Sequence, residues 1–125
     1  MIKTGAVYFI PNCTVSNPIK DKYAICVSAD DNLWFLINSC DERRPYHHEL
    51  DDVVYLETHE INCLKHRSYI NIKNIRMLSD IDKENFSFKC LLQNDLWLKI
   101  KTAVKRNKTL QRKYKQIIDE QTKYK

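Results

Sequence analysis

Tyr23-Ala24-Ile25-Cys26-Val27-Ser28, Asp30-Asp31-Asn32, Leu33-Trp34-Phe35-Leu36-Ile37-Asn38: two short, mainly apolar runs flank a cluster of turn residues. Runs of six rich in β-branched and aromatic residues have strand length rather than helix length. The polar triplet between them supplies turn chemistry, so the segment reads as a β-hairpin. Working outward, Gly5-Ala6-Val7-Tyr8-Phe9-Ile10 reads as a buried strand ended by the turn pair Pro11-Asn12. Residues 11–21, rich in Asn, Pro, Ser and Thr, read as a loop. Cys40–Leu50 is polar and carries Pro45, which predicts a long loop. Val53-Val54-Tyr55-Leu56 and Ser68-Tyr69-Ile70-Asn71-Ile72 supply two more strands, and Phe86-Ser87-Phe88-Lys89-Cys90 alternates like a last one.

Beyond Asn94 the period changes. Leu96, Ile100, Ala103 and Val104 recur at helical spacing, and Leu110, Tyr114, Ile117 and Ile118 continue the stripe. Asn94 is placed to cap this helix, and Asn107-Lys108-Thr109 is placed to kink or split it, with Thr109 as a second cap. The expected fold class is therefore mainly β with C-terminal α. Residues 1–93 form a small curled barrel, and residues 94–125 a basic amphipathic helical segment of the same domain.

Charge follows the same division. Residues 99–125 hold ten Lys and Arg against Asp119 and Glu120, whereas residues 1–98 hold eleven against fourteen acids. A mildly acidic body with a cationic tail is a footprint of nucleic-acid or acidic-partner contact; a solvated helix face is the alternative. No apolar run approaches the roughly 18 residues of a membrane span. Met1–Gly5 runs into the first strand without a charged-then-apolar leader, so the expected location is the cytoplasm. Five widely spaced cysteines without a Cys-x-x-Cys pair are expected to be free thiols there, Cys26 as a small core residue. One glycine, against many Lys, Asn, Ile and Tyr, fits AT-rich coding of the kind found in a low-GC bacterium or its phage.

The lone glycine excludes a Gly-rich phosphate loop. Cys63-x-x-His66 is the nearest approach to a metal pair, with His47, His48 or Cys40 as distant partners; it lacks the paired spacing of a zinc site. Leu64-Lys65-His66-Arg67-Ser68-Tyr69 concentrates cations, an imidazole, a hydroxyl and an aromatic ring at a strand entry. Such groups hold phosphate oxygens and stack bases, and imidazole suits proton transfer near neutrality. The competing reading is a strand entry whose polar residues face water and whose Tyr69 packs inward.

Four segments, in order, resemble the MazF/PemK-like toxin barrels. Lys3-Thr4-Gly5-Ala6-Val7-Tyr8 is similar to the family's opening strand, and Asp21-Lys22-Tyr23-Ala24-Ile25-Cys26-Val27-Ser28 to its second. Phe35-Leu36-Ile37-Asn38-Ser39 resembles its third, and Leu64-Lys65-His66-Arg67-Ser68-Tyr69-Ile70 the Lys-His-Asp-Ser-Tyr stretch of a divergent, often phage-associated branch. The resemblance implies an SH3-like barrel and homodimer that cleaves single-stranded RNA without metal or other cofactor, and that has a cognate antitoxin protein and no membrane partner. By position, Lys22 would stand for the family's catalytic Arg and Ser39 for its Thr or Ser, with His66 as added acid or base. Lys20, Asn38, Lys65, Arg67, Ser68 and Tyr69 would contact substrate. Loop 11–21 and segment 38–48 would shape the groove. Lys22 lacks the guanidinium fork, Tyr23 stands where the family has proline, Ala6 replaces an acid and Arg67 an Asp. These departures define the alternative, an inactive barrel that binds nucleic acid or a protein through its basic tail.

Overall fold

The computed structural model describes residues 1–40 and 52–123. Along the chain it forms β1 (Ala6–Cys13), β2 (Lys20–Ser28), β3 (Leu33–Ser39), β4 (Val53–Leu56), β5 (Ser68–Asn71), α1 (Asp80–Asn85), β6 (Ser87–Leu91), α2 (Asn94–Arg106) and α3 (Arg112–Asp119). The fold is mainly β: the six strands form one open antiparallel sheet in the order β4-β5-β3-β2-β1-β6. No helix among the described residues is long and apolar enough to cross a membrane.

The continuous apolar runs of β2 and β3 have a simple cause: both faces of the central sheet are covered. Side chains alternate across a strand. Val7, Ile25, Val27, Phe35, Ile37, Val54, Leu56 and Ile70 therefore point one way, into a core that α2 and α3 close with Leu96, Trp97, Ile100, Val104, Leu110 and Ile118. Ala6, Tyr8, Ile10, Ala24, Cys26 and Trp34 point the other way and pack with Leu78 and Phe86. The edge of Tyr8 meets Trp34 at 5.4 Å between ring centres, and its face stacks on Phe86 at 4.5 Å.

The expected β2–β3 hairpin forms, with Tyr23 opposite Ile37 and Cys26 opposite Trp34. Asn32 closes its turn at φ 54, a conformation that asparagine tolerates better than most residues. Pro11-Asn12, by contrast, does not end β1. The strand runs on to Cys13 through a register shift, with Asn12 at φ 47 and its N–H donating to Asp21 Oδ1 at 2.9 Å. An irregularity of this kind accommodates a proline, whose missing N–H breaks no ladder bond. The expected loop 11–21 therefore shrinks to residues 14–19. The long loop expected over Cys40–Leu50 lies, beyond Cys40, outside the described residues.

Helix α1 was not foreseen; six residues are too few to display a period. It is capped by Ser79, which accepts from the N–H of Asp82, and Asp82 is pinned in turn by Thr14 N and Thr14 Oγ1, both at 2.9 Å. Asn94 is the first residue of α2 rather than its cap; Gln93 takes that place without a side-chain cap bond. The tail does split at Asn107, but Gln111, not Thr109, precedes α3. Asn107 is fully buried: its Oδ1 accepts from Thr109 N and Leu110 N, and its Nδ2 donates to buried Asp52 at 2.8 Å. Gly5, at φ 85, lies where an added Cβ would meet Lys123 Cγ at 2.8 Å. Cys63 and Cys90 form a disulfide, where free thiols were expected. The topology brings the segment before β5 against β6, a neighbourhood not visible from a spacing of 27 residues.

Candidate active site

The register sets the site at one end of the hairpin, where β2 begins and β3 ends. One residue beyond the Tyr23–Ile37 pair, Lys22 Nζ donates to Asn38 Oδ1 at 2.7 Å. Asn38 pairs with Tyr69 of β5, and Ser39 with Ser68. The Leu64–Arg67 turn is therefore delivered beside the end of β3. Two hydrogen bonds hold it there: Ser68 Oγ donates to His66 O at 3.0 Å, and Cys40 N donates to Arg67 O at 3.0 Å.

Two recesses result. One, of about 520 Å³, is lined by Phe9, Lys20, Lys22, Asn38, Ser39 and Tyr69 among others. The second, of about 170 Å³, is lined by Leu64, Lys65, His66 and Ser68 with Cys63. Tyr23, Ile37 and Ser39 border both, so the two adjoin along β3. Lys22, Ser39 and His66, drawn from three segments of the sequence, thus line adjoining hollows.

Electrostatically, Lys22 is the unusual member. It is only 7% exposed, and no carboxylate pairs with it among the described residues. Burial pushes its ammonium below the ordinary lysine value, and the neighbouring Lys20 charge pushes the same way. A buried ammonium so disposed attracts an anion strongly and gives up a proton more readily than a surface lysine. Ser39, His66, Lys65 and Lys20 are exposed, so hydroxyl, imidazole and two further cations are open to a ligand.

The remaining expected contacts divide. Asn38 lines the larger recess but spends its carbonyl oxygen on Lys22. Tyr69 lines it too, yet at 7% exposure its ring is enclosed rather than an open platform for a base. Ser68 is buried and uses its hydroxyl to fix the His66 turn. Arg67 lines neither recess: its Nε pairs with Glu57 Oε1 at 2.7 Å, and its guanidinium lies 4.2 Å from the Tyr55 ring centre. Cys63, weighed as half of a Cys-x-x-His pair, is bonded to Cys90. His47, His48 and the part of segment 38–48 beyond Cys40 lie outside the described residues. Tyr23, which borders both recesses, was noted in the sequence only as a strand residue standing where the resembled family has proline.

Set against known proteins, the chain matches no family model and no curated protein.

Proposed function

We propose that the chain is an endoribonuclease that cleaves single-stranded RNA by attack of the RNA's own 2′-hydroxyl on the adjacent phosphate. The observation that carries this reading is the convergence of Lys22, Ser39 and His66 on adjoining recesses of one groove. The reaction needs a base for the 2′-hydroxyl proton, an acid for the leaving 5′-oxygen and positive charge for the phosphorane. His66 serves as one proton carrier. Lys22 places its charge beside a non-bridging oxygen and, with its proton loosened by burial, is suited to protonate the leaving oxygen. Ser39 Oγ donates a hydrogen bond to the phosphate. Lys20 and Lys65 hold flanking phosphates from the two rims. In this reading the open sheet corresponds to the curled SH3-like barrel of MazF/PemK-like toxins, and the protein is a homodimer held in check by an antitoxin. A gel assay on structured and unstructured RNAs with Lys22→Ala, Ser39→Ala and His66→Ala tests it. Wild type should cut single-stranded segments and leave a 2′,3′-cyclic phosphate, with each variant slowed at least about a hundredfold. Intact RNA with wild type, or equal cutting by all three variants, overturns it.

A second reading rests on a different observation. Lys101, Lys105, Arg112 and Lys115 line a cleft between α2 and α3 in which, among the described residues, Asp119 is the single acid. A non-catalytic module binding nucleic acid there would show steep salt dependence, lost when these four cations are neutralised.

A further inference from the structure

On the far side of the Lys22–Asn38 pair lies another recess, of about 190 Å³, which the cleavage chemistry above does not use. It is lined by Val15, Ser16 and Asn17 of the β1–β2 loop, Lys20 and Lys22 of β2, Leu36 and Asn38 of β3, and Asn71, Asn74 and Arg76 beyond β5. Among the described residues three cations and no carboxylate line it. Lys20, Lys22 and Arg76 take part in no ion pair among the described residues.

The hydrogen-bond pattern has the same polarity. Asn38 Oδ1 is occupied by Lys22 Nζ, and Asn71 Oδ1 accepts from Lys73 N at 3.2 Å. The oxygens of these two of the four lining amides are thus used within the protein. Lys22, 7% exposed at its base, has spent one of its three N–H donors. An environment of surplus donors and surplus positive charge matches an oxyanion. Size narrows the choice. At about 30 Å³ per water the recess holds about six waters, room for a phosphate group with water beside it. Pockets for whole drug-sized ligands begin at about 300 Å³.

We infer that this recess is a phosphate-binding site, taking a phosphate dianion either free or as the terminal monoester of a nucleic acid. It shares Lys20, Lys22 and Asn38 with the larger recess of the proposed cleavage groove but does not require that cleavage occurs. Arg76 is the cleanest probe. Its side chain is exposed, while its backbone pairs with Trp34 N at 2.8 Å and Trp34 O at 2.9 Å, so truncation leaves the bridge in place.

Calorimetric titration of the full chain with inorganic phosphate, at ionic strength matched with chloride, provides the test. Wild type should bind one phosphate saturably; Arg76→Ala should weaken this about tenfold or more, the loss expected for one charged hydrogen bond. Ser39→Ala and His66→Ala locate the bound phosphate: affinity unchanged in both keeps it in this recess, and affinity lost in either moves it to the cleavage groove and overturns the inference. A 5′-phosphorylated trinucleotide that binds more tightly than its 5′-hydroxyl counterpart, with the difference lost in Arg76→Ala, assigns the site to nucleic-acid ends. Equal affinity of the two trinucleotides beside saturable inorganic phosphate assigns it to the free anion. No saturable phosphate binding by wild type, or unchanged affinity in Arg76→Ala, overturns the inference.

Discussion

Replacing Lys22 by methionine should make the protein more stable at neutral pH while abolishing its activity. The side chain is 7% exposed and its Nζ bonds only the neutral amide of Asn38 among the described residues. A buried ion carries an effective desolvation penalty of several kcal/mol. Its one hydrogen bond recovers about 1.5–3 kcal/mol. Methionine removes both and keeps the apolar stem packed. Asn38 Oδ1 loses its donor, but Asn38 is half-buried and reachable by water, so that loss falls at the low end of about 1–3 kcal/mol. The balance is a gain of about 1 kcal/mol, or about 3–5 °C in Tm for a chain of this length.

The pH dependence carries a sign of its own. Burial lowers the Lys22 pKa below its ordinary 10.5, so between the folded and unfolded values the unfolded chain binds more protons. Wild-type stability therefore receives a rising contribution from this group as pH climbs through that window. The advantage of Lys22→Met is full below the folded pKa and shrinks toward the unfolded one. Urea denaturation of both proteins, at neutral pH and in alkaline buffer, measures this directly. A variant less stable than wild type by 1 kcal/mol or more, or a difference that ignores pH, would refute the premise that Lys22 is held at an energetic cost.

Two further outcomes follow from the packing. Asn107→Ala removes three hydrogen bonds from a fully buried position and strands Asp52 Oδ1 and the Leu110 N–H; urea denaturation should show a loss of about 2–4 kcal/mol. Cys26 is fully buried and its thiol is pushed up to about 12, so the folded protein should leave it unlabelled by a thiol reagent at neutral pH, while the half-exposed Cys40 is labelled first.

The hairpin was legible because two strand-length apolar runs flank one polar turn, and β4, β5 and β6 because their runs are equally short and bounded. The split of the tail was legible in Asn107-Lys108-Thr109, although the buried bond from Asn107 to Asp52 joins residues 55 apart and has no local signature. Helix α1 was hidden by its length and by a cap whose partner, Thr14, sits on another element. Pro11 misled because a turn signal and a strand irregularity look alike until the partner strand is known. At the site, a positional resemblance pointed to Lys22 and Ser39, and imidazole chemistry to His66, but their burial did not follow from either. Nothing local distinguishes a solvated lysine from a buried one bonded to Asn38, or marks Arg67 as the partner of Glu57. The phosphate-sized recess was invisible for the same reason: its amides come from segments more than fifty residues apart.

The central claim is that the groove cuts RNA, and product analysis of a single-stranded substrate tests it most directly. Purified wild type should release fragments ending in a 2′,3′-cyclic phosphate, and Lys22→Met should release none under the same conditions despite its higher Tm. RNA left whole by wild type, or cut equally well by Lys22→Met, would contradict the account.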